Sequence, residues 1–333
     1  MAKVFVTGGT GFIGSHLIDE LLKKNYEIKA LIRKNSSTKW LKDKPVEYIE
    51  GDLFTDDVLK KALSDVDYVY HVGGVTFAKK KEEFYRGNVD ATKSLLEACY
   101  KYNPGIKKFV HVSSQAGVGP SFDGKPIDET RDYFPLTTYG RSKVEAEKVV
   151  MGFFDKFNCT IVRPPAVYGP RDYAIYEYFK SMSRGLQPMI GFDNKLVSLI
   201  HGVDLVRGFI LAGEKEISSS SIYFISSEEF YNWRDVGELT KKLLGRKTVK
   251  LTIPHFAVKT TAFFSQVFGF FSSKPVVLNI EKSRELTQRY WICSTEKARR
   301  ELGFKESFTL ETGFKDTIEW YRKEGWLKPG KNA

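Results

Sequence analysis

Tyr139 and Lys143, four residues apart in Tyr-Gly-Arg-Ser-Lys, are the pair in this sequence best suited to moving a proton. They open a segment of helical composition, Tyr139–Phe157, and a spacing of four places both side chains on one helix face. A free tyrosine titrates near 10 and is almost wholly protonated at neutral pH. A neighbouring ammonium favours the phenolate, so Lys143 is expected to lower that value. Such a phenol takes a proton from a hydroxyl or gives one to a carbonyl oxygen. The spacing is common by chance, so its weight depends on what stands beside it. One candidate is Ser114, 25 residues earlier, at the end of the apolar run Phe109-Val110-His111-Val112-Ser113-Ser114. A hydroxyl there can orient a substrate oxygen and stabilise charge on it. Ser113 is the alternative donor.

A second constellation lies at the N-terminus. The run Lys3–Thr7 leads into Gly8-Gly9-Thr10-Gly11-Phe12-Ile13-Gly14, with glycines at 8, 11 and 14. Gly8 permits a tight turn, Gly11 lets a pyrophosphate approach the backbone, and Gly14 allows a helix to pack closely on a sheet. The helix N-terminus then offers unpaired N–H groups and a positive dipole end to phosphates. A glycine triplet alone is a weak signal, but this one follows a strand and opens an amphipathic helix, the context that a dinucleotide site requires. The second apolar run ends Ala30-Leu31-Ile32-Arg33-Lys34-Asn35-Ser36, without the acid that would bind an adenine ribose 2′-hydroxyl. Arg33 and Lys34 suit a 2′-phosphate instead, so NADP is favoured over NAD. Lys143 is expected to reach the nicotinamide ribose.

The elements that position these groups alternate regularly. Lys3–Thr7, Glu27–Ile32, Val46–Glu50, Asp67–Val72, Lys107–Ser113 and Cys159–Arg163 read as strands. Between them, Gly14–Lys24 and Val89–Tyr102 carry apolar residues at helical spacing. Strand, crossover and strand in repetition imply an α/β chain with a Rossmann-type, doubly wound parallel sheet covered on both faces. Residues 1–165 are expected to form the dinucleotide-binding domain. Residues 166–333 are expected to form mainly a smaller, mixed substrate-binding lobe, with the chain free to cross back. Strands are expected there at Lys195–Ile200, Ser221–Ile225 and Val249–Ile253, helices at Val203–Gly213, Trp233–Leu244 and Leu310–Glu324, and a loop at Ser218–Ser221.

Composition narrows the function classes. With 42% hydrophobic and 28% charged residues, the 333-residue chain is ordinary for a soluble globular protein. No apolar run reaches the roughly 18 residues that span a bilayer, and a strand beginning at Lys3 leaves no room for a signal peptide, so a cytoplasmic location is expected. Cys99, Cys159 and Cys293 are scattered, which fits reduced thiols. The five histidines form no ligand motif, and no metal site is expected. The net charge of +11 accompanies no nucleic-acid module, so it is read as a solvated surface, or as attraction to a phosphorylated ligand or an anionic membrane. Phe256–Phe271 holds six phenylalanines. A buried or oligomer-contact helix is expected there, ahead of a lid over an apolar substrate or an interfacial membrane helix.

These motifs, in order, resemble the extended short-chain dehydrogenase/reductases of the epimerase/dehydratase/3β-hydroxysteroid dehydrogenase kind. The matching segments are Thr7–Gly14, Gly51-Asp52-Leu53, His71-Val72-Gly73-Gly74, Asn88-Val89, Val112-Ser113-Ser114, Tyr139–Lys143, Arg163–Pro170, His201–Asp204 and Lys297–Phe304. The resemblance implies that Ser114, Tyr139 and Lys143 are catalytic. It implies that Asp52 and Leu53 flank the adenine, and that Val72, Gly73 and Gly74 line the cofactor. Asn88 would position the active-site helix, and Pro164 and Val167 would lie near the nicotinamide. It also implies a homodimer through 89–102 and 139–157, with Ala98 and Cys99 in the interface. The reading favoured is an NAD(P)-dependent oxidoreductase acting on a secondary alcohol or ketone of a small, fairly apolar substrate. The alternatives are a nucleotide-sugar epimerase and a non-catalytic NADP-sensing regulator. Relatives acting on nucleotide-sugars carry an arginine shortly before the His201 motif. Here Val197 and Ser198 stand there, with Lys195 a partial substitute, and Arg284 or Arg289 as a second clamp. The Asp-Glu pair of the dehydratases is replaced by Gln115-Ala116.

Overall fold

The computed structural model describes residues 1–215, 220–269, 276 and 278–328. The first half contributes β1 (Lys3–Thr7), β2 (Glu27–Ile32), β3 (Val46–Glu50), β4 (Tyr68–His71), β5 (Lys108–Val112) and β6 (Cys159–Arg163). The second contributes β7 (Ala166–Tyr168), β8 (Leu186–Ile190), β9 (Leu196–His201), β10 (Ser221–Phe224), β11 (Phe230–Asn232), β12 (Val249–Ile253) and β13 (Tyr290–Trp291). The helices are α1 (Phe12–Lys23), α2 (Asp56–Leu63), α3 (Lys81–Tyr85), α4 (Ala91–Tyr102), α5 (Gln115–Val118), α6 (Thr138–Met151) and α7 (Tyr176–Ser183). They continue with α8 (Gly202–Glu214), α9 (Trp233–Leu244), α10 (His255–Gly269), α11 (Ile280–Leu286), α12 (Glu296–Leu302) and α13 (Leu310–Lys323). A π-helical turn, Arg86–Asp90, joins α3 to α4.

Seven parallel strands form the central sheet in the order β10-β6-β5-β4-β1-β2-β3. Successive side chains on each strand enter opposite layers. Val4, Val6, Val110 and Val162 face the layer built by α1, α8 and α12, with Leu17, Ile18, Leu205, Phe209 and Leu302. Phe5, Phe109 and Ile161 face the layer of α2, α4 and α6, with Leu59, Leu95, Leu96 and Val150. This two-sided burial is why the strands read as nearly continuous apolar runs. The strand order reverses between β1 and β4, so the crevice outside their carboxyl ends is where a ligand can enter.

The smaller lobe pairs β11, β9 and β13, with β7 against β9, and a parallel pair β12–β8. Its core holds Tyr168, Phe179, Met182, Val236, Phe314 and Tyr321. The chain crosses back twice. Helix α8 lies on α1 and strand β10 closes the edge of the central sheet, because Leu205, Val206, Phe209 and Tyr223 are completed only by the first layer's apolar side chains.

Two expectations change. Ala98 and Cys99 are not interface residues, since both are buried in the chain's own second layer with Phe109 and Phe157. Helix α6 stops at Met151 rather than 157, and Phe153 and Phe157 turn back onto that layer. Of the 218–221 loop, residues 218 and 219 lie outside the described residues.

Phe209 is fully buried on the returning helix. Phe209→Ala is expected to lose about 3–5 kcal/mol of unfolding free energy, read from urea titrations. A loss below about 1 kcal/mol would mean that α8 is not part of this core.

Candidate active site

At the carboxyl ends of β1 and β4 two backbone segments touch. Gly8 has φ 71°, and a Cβ on it would lie 2.7 Å from both the N and the Cα of Gly73. A Cβ on Gly14 would lie 2.1 Å from the Gly8 carbonyl oxygen. The turn closes with Gly11 N–H donating to that oxygen at 3.0 Å. Gly11 is exposed, Thr10, Phe12 and Ile13 are half-buried around it, and no side chain caps α1. The first-turn N–H groups therefore face an open cradle, which suits a pyrophosphate.

A directed hydrogen-bond chain fixes the floor of the crevice. Gly73 N–H donates to Thr7 Oγ1 (3.1 Å), which meets His71 Nδ1 at 2.7 Å. On the other side of the ring, Nε2 meets Thr92 Oγ1 at 2.9 Å, and Thr92 donates to the Asn88 carbonyl at 2.6 Å. Because Thr92 has spent its proton on that carbonyl, Nε2 must donate and Nδ1 must accept from Thr7. His71 is thus neutral in one tautomer, in agreement with burial, and then Lys143, driving its pKa down to about 3.

Asn88 continues the network. Its Oδ1 accepts from Val75 N (2.7 Å), and its Nδ2 donates to Val75 O (3.0 Å) and Ser142 Oγ (2.9 Å). Ser142 in turn donates to the Tyr139 carbonyl at 2.7 Å. The loop after β4 and the start of α6 are tied by one amide. Thr137 caps α6 by accepting from Gly140 N at 3.1 Å.

Tyr139, Ser114 and Lys143 converge at the ends of β5 and α6. The Ser114 hydroxyl faces Tyr139 closely enough to favour its phenolate. Ser114 Oγ also accepts from Ala116 N at 3.2 Å, which caps α5. Lys143 is buried and donates from Nζ to the Val112 carbonyl at 2.6 Å. A Cβ on Gly74 would lie 4.0 Å from that Nζ, so the ammonium faces the loop after β4. Burial pushes the Lys143 pKa down to about 8, while Glu147 pulls it upward. The expected lowering of the Tyr139 pKa is not what the structure gives. Burial raises it, Ser114 opposes the rise, and Glu285 adds to it. The reason is that Lys143 is turned to the Val112 carbonyl rather than to the phenol.

Ser113, the alternative donor, is engaged elsewhere. It donates to Glu147, which also receives Arg163 Nη2 at 2.6 Å and the Tyr133 hydroxyl at 2.7 Å. Glu147 and Arg163 are essentially inaccessible, with side chains 0% and 2% exposed. This buried pair joins α6 to β6 beneath Lys143.

The remaining expected residues line the same edge. Arg33 and Lys34 are exposed at the end of β2, and neither has an ion-pair partner among the described residues. The Arg33 N–H donates to Ser36 Oγ at 3.2 Å. Asp52 spends Oδ1 on Phe54 N–H and Thr55, and the Leu53 carbonyl accepts from Ser94. Val72 is half-buried against the first layer. Pro164 is buried with its carbonyl accepting from Gln115 N at 2.9 Å, and Val167 pairs with Ile200.

Sequence reasoning missed three contributors. Arg171, at φ 71°, donates to Ser15 Oγ (3.1 Å) and pairs with Asp19 (2.8 Å), bracing α1 beside its N-terminus. Glu281 accepts from Thr138 N–H at 2.6 Å and from Arg141, and Glu285 accepts from Thr137 at 3.2 Å. Two carboxylates of α11 thus sit on the N-terminus of α6. Arg171 adjoins a quoted motif, but nothing in the local sequence pairs α11 with α6. Of the residues expected to clamp a diphosphate, Ser198 is buried and accepts from Cys293 N, Lys195 is held by Gln288 O (2.8 Å) and Asp193 (3.5 Å), and Arg289 Nε donates to Asn194 O at 3.4 Å.

The comparisons with known proteins fit this geometry. The model of the NAD dependent epimerase/dehydratase family matches residues 4–226. The ceramide reductase of Caulobacter vibrioides is 27% identical over 324 residues, covering 97% of this chain and 96% of that protein. The 3-beta-hydroxysteroid dehydrogenase of Mycolicibacterium neoaurum is 27% identical over 348 residues, covering 96% and 92%. Among solved structures, the UDP-glucose 4-epimerase of Thermotoga maritima superposes with a TM-score of 0.79 at 24% identity, over 97% of this chain and 99% of that one, which is a likeness of fold.

Three histidines around the site are held neutral. Burial lowers His16 to about 4 and His71 to about 3, and takes His111 well below its ordinary value. Unfolded, each binds a proton below about 6.5. The unfolded chain therefore binds more protons as pH falls from 6.5, and stability is lost in that direction, at up to about 4 kcal/mol per pH unit. Urea midpoints at about pH 7 and about pH 5 should separate accordingly. His111, whose ring nitrogens have no hydrogen-bond partner, isolates the effect: His111→Phe should flatten the slope by about one proton. An unchanged slope would refute the linkage.

Proposed function

The chain belongs to the NAD dependent epimerase/dehydratase family, and we propose that it is an NADP-preferring oxidoreductase interconverting a secondary alcohol and a ketone on a fairly apolar substrate. The carrying observation is the buried Lys143, held to the Val112 carbonyl one turn along α6 from Tyr139, with Ser114 at the end of β5 facing that phenol, at the strand ends where the glycine turn opens. The chain is an enzyme of the extended short-chain dehydrogenase/reductase group, using a nicotinamide dinucleotide. When bound, that group supplies the hydride acceptor or donor. The chain's residues do the rest. The α1 N-terminus and the Gly8–Gly14 turn take the pyrophosphate, and Asn88 holds the catalytic helix against the loop after β4. Ser114 orients the substrate oxygen. Tyr139 gives that oxygen a proton in reduction or takes one in oxidation, and Lys143, on turning from the Val112 carbonyl, would favour the phenolate and reach toward the ribose.

Two observations support an apolar substrate over a nucleotide-sugar. The position of a diphosphate-binding arginine is filled by Val197 and the buried Ser198, and Lys195 is already paired. The curated relatives are named for ceramide and 3-beta-hydroxysteroid chemistry. For the cofactor, Arg33 and Lys34 are free of carboxylates at the end of β2, where a 2′-phosphate would lie. A division into residues 1–165 for the dinucleotide and mainly 166–333 for the substrate, and a homodimer, belong to the same proposal.

Tyr139→Phe should reduce turnover of any ketone substrate about 10²–10⁴-fold while leaving NADPH affinity near that of the parent. Undiminished turnover would remove Tyr139 from the chemistry. Arg33→Ser should weaken NADPH about 10–100-fold, the worth of a charged hydrogen bond, and leave NADH little changed. Tighter binding of NADH than NADPH by the parent would overturn the cofactor preference. A large thermal shift with UDP alone would favour the epimerase reading.

A further inference from the structure

Helix α10 is turned inside out relative to an ordinary surface helix. Val258 and Ala262 pack inward, while Phe256, Phe263, Phe264 and Phe268 are 73%, 52%, 53% and 69% exposed. Val267 joins them on the outer face, with Lys259 and Thr260 at its margin. Of the two readings expected for the segment, this overturns the buried helix and leaves the oligomer contact untouched; Phe270 and Phe271 lie outside the described residues. Strand β12, which runs into α10, adds exposed Val249 and Leu251, and its partner β8 adds Leu186. Scattered apolar residues on a surface need no explanation, but a contiguous aromatic face does.

The charge of this region points to its occupant. Residues 239–280 contain seven cations (Lys241, Lys242, Arg246, Lys247, Lys250, Lys259 and Lys274) and no carboxylate. Lys241 and Lys250 share Glu238, and Lys242 pairs with Glu311. Arg246, Lys247 and Lys259 have no ion-pair partner among the described residues. An outward aromatic face amid unbalanced positive charge is complementary to one kind of surface, an anionic lipid interface. A second copy of the chain would bring the same excess of positive charge against itself, which opposes a homotypic contact here. No helix among the described residues is long and apolar enough to cross a bilayer, so the contact is with one leaflet.

We propose that α10 and the β8–β12 edge dock the protein on anionic phospholipid membranes. The surface connects to the site. Helix α10 packs on α11, whose first N–H is received by Gln266 at 3.1 Å. Glu281 and Glu285 of α11 grip the start of the helix that carries Tyr139. The docked face thus lies one helix away from the catalytic element, the arrangement expected of an enzyme that takes an apolar substrate from a bilayer. The docking itself does not depend on that substrate.

Co-sedimentation of the full-length protein with vesicles tests this without turnover, so its outcome is separate from that of the proposed reaction. Vesicles of phosphatidylcholine with about 30% phosphatidylglycerol should bind the protein at least about tenfold better than phosphatidylcholine alone, and about 0.5 M salt should abolish the difference. Phe263→Ser/Phe264→Ser should lower binding at least about tenfold, given the area withdrawn from the acyl boundary. Lys247→Glu/Lys259→Glu should do the same by charge alone. Circular dichroism and the melting midpoint should match the parent in both, since all four side chains are exposed. Failure of the parent to bind anionic vesicles, or binding by both variants as tight as the parent's, would overturn the proposal. So would a parent that is dimeric and vesicle-free while Phe263→Ser/Phe264→Ser is monomeric.

Discussion

The site rests on a contact between two backbones. Gly8 and Gly73 meet where the strand order reverses, at a separation that admits no side chain on Gly8. From that contact the neighbouring geometry follows. The turn out of β1 must be left-handed at Gly8, which directs the chain into α1 and aims its uncapped N-terminus at the crevice. The loop out of β4 must pass close by, and Thr7 holds it there by receiving the Gly73 N–H. The same loop offers Val75 to Asn88, and Asn88 carries the position on to Ser142 and the Tyr139 carbonyl. The glycine turn and the start of α6 are thereby set by one continuous hydrogen-bonded path rather than by separate elements.

Placing an ammonium in this floor has an electrostatic condition. Lys143 is buried beside His71 and His111, and a second positive charge there would be costly in a medium of low polarity. The chain from Gly73 to Asn88 satisfies it for His71 by fixing a neutral tautomer, and burial holds His111 uncharged. The opposite charge comes from one turn further along α6, where Glu147 favours the lysine cation. Glu147 is itself shared with Arg163, Ser113 and Tyr133, so it is fully hydrogen-bonded. A buried pair of this kind contributes little net stability. Its effect is positional, since it pins α6 to the sheet directly beneath the catalytic groups.

Much of this was legible in the residues. The central strands of the sheet were visible as short apolar runs because a sheet buried on both faces needs apolar residues at every position. The glycine turn was visible because its steric demands are local. Ser114 and Tyr139 were identified by residue type and spacing, and their convergence is what the parallel topology produces. What was hidden was long-range. The return of α8 and β10 to the large sheet depends on apolar surface completed by α1, and a second-half helix pattern looks the same wherever it packs. Helix α10 was misjudged for a related reason. Six phenylalanines in sixteen residues resemble a core helix, and only the register of Val258 and Ala262 reveals that the aromatic face is the outer one. Ala98 and Cys99 sit on an apolar stripe that fits a partner helix or the chain's own sheet equally well, and the sheet takes them.

The proton affinity of Tyr139 shows how the second lobe enters the chemistry. Within the central sheet, the Ser114 hydroxyl facing the phenol acts to lower its pKa. Burial outweighs that effect, and helix α11 adds to the rise. Glu281 occupies the N-terminus of α6, where a carboxylate is favoured by the helix dipole, and Glu285 stands close enough to Tyr139 to resist ionisation. The chain's own groups therefore hold the phenol as an acid, the form that donates to a carbonyl oxygen, and removing that proton requires positive charge brought to bear on the ring oxygen. Lys143, turned to the Val112 carbonyl, is the cation within the site able to provide it by a change of side-chain direction alone. Helix α11 also carries the contact to α10, so α10, α11 and the start of α6 form one connected path. The second half of the chain is thus joined to the helix that carries Tyr139 by two carboxylates on the N-terminal end of that helix.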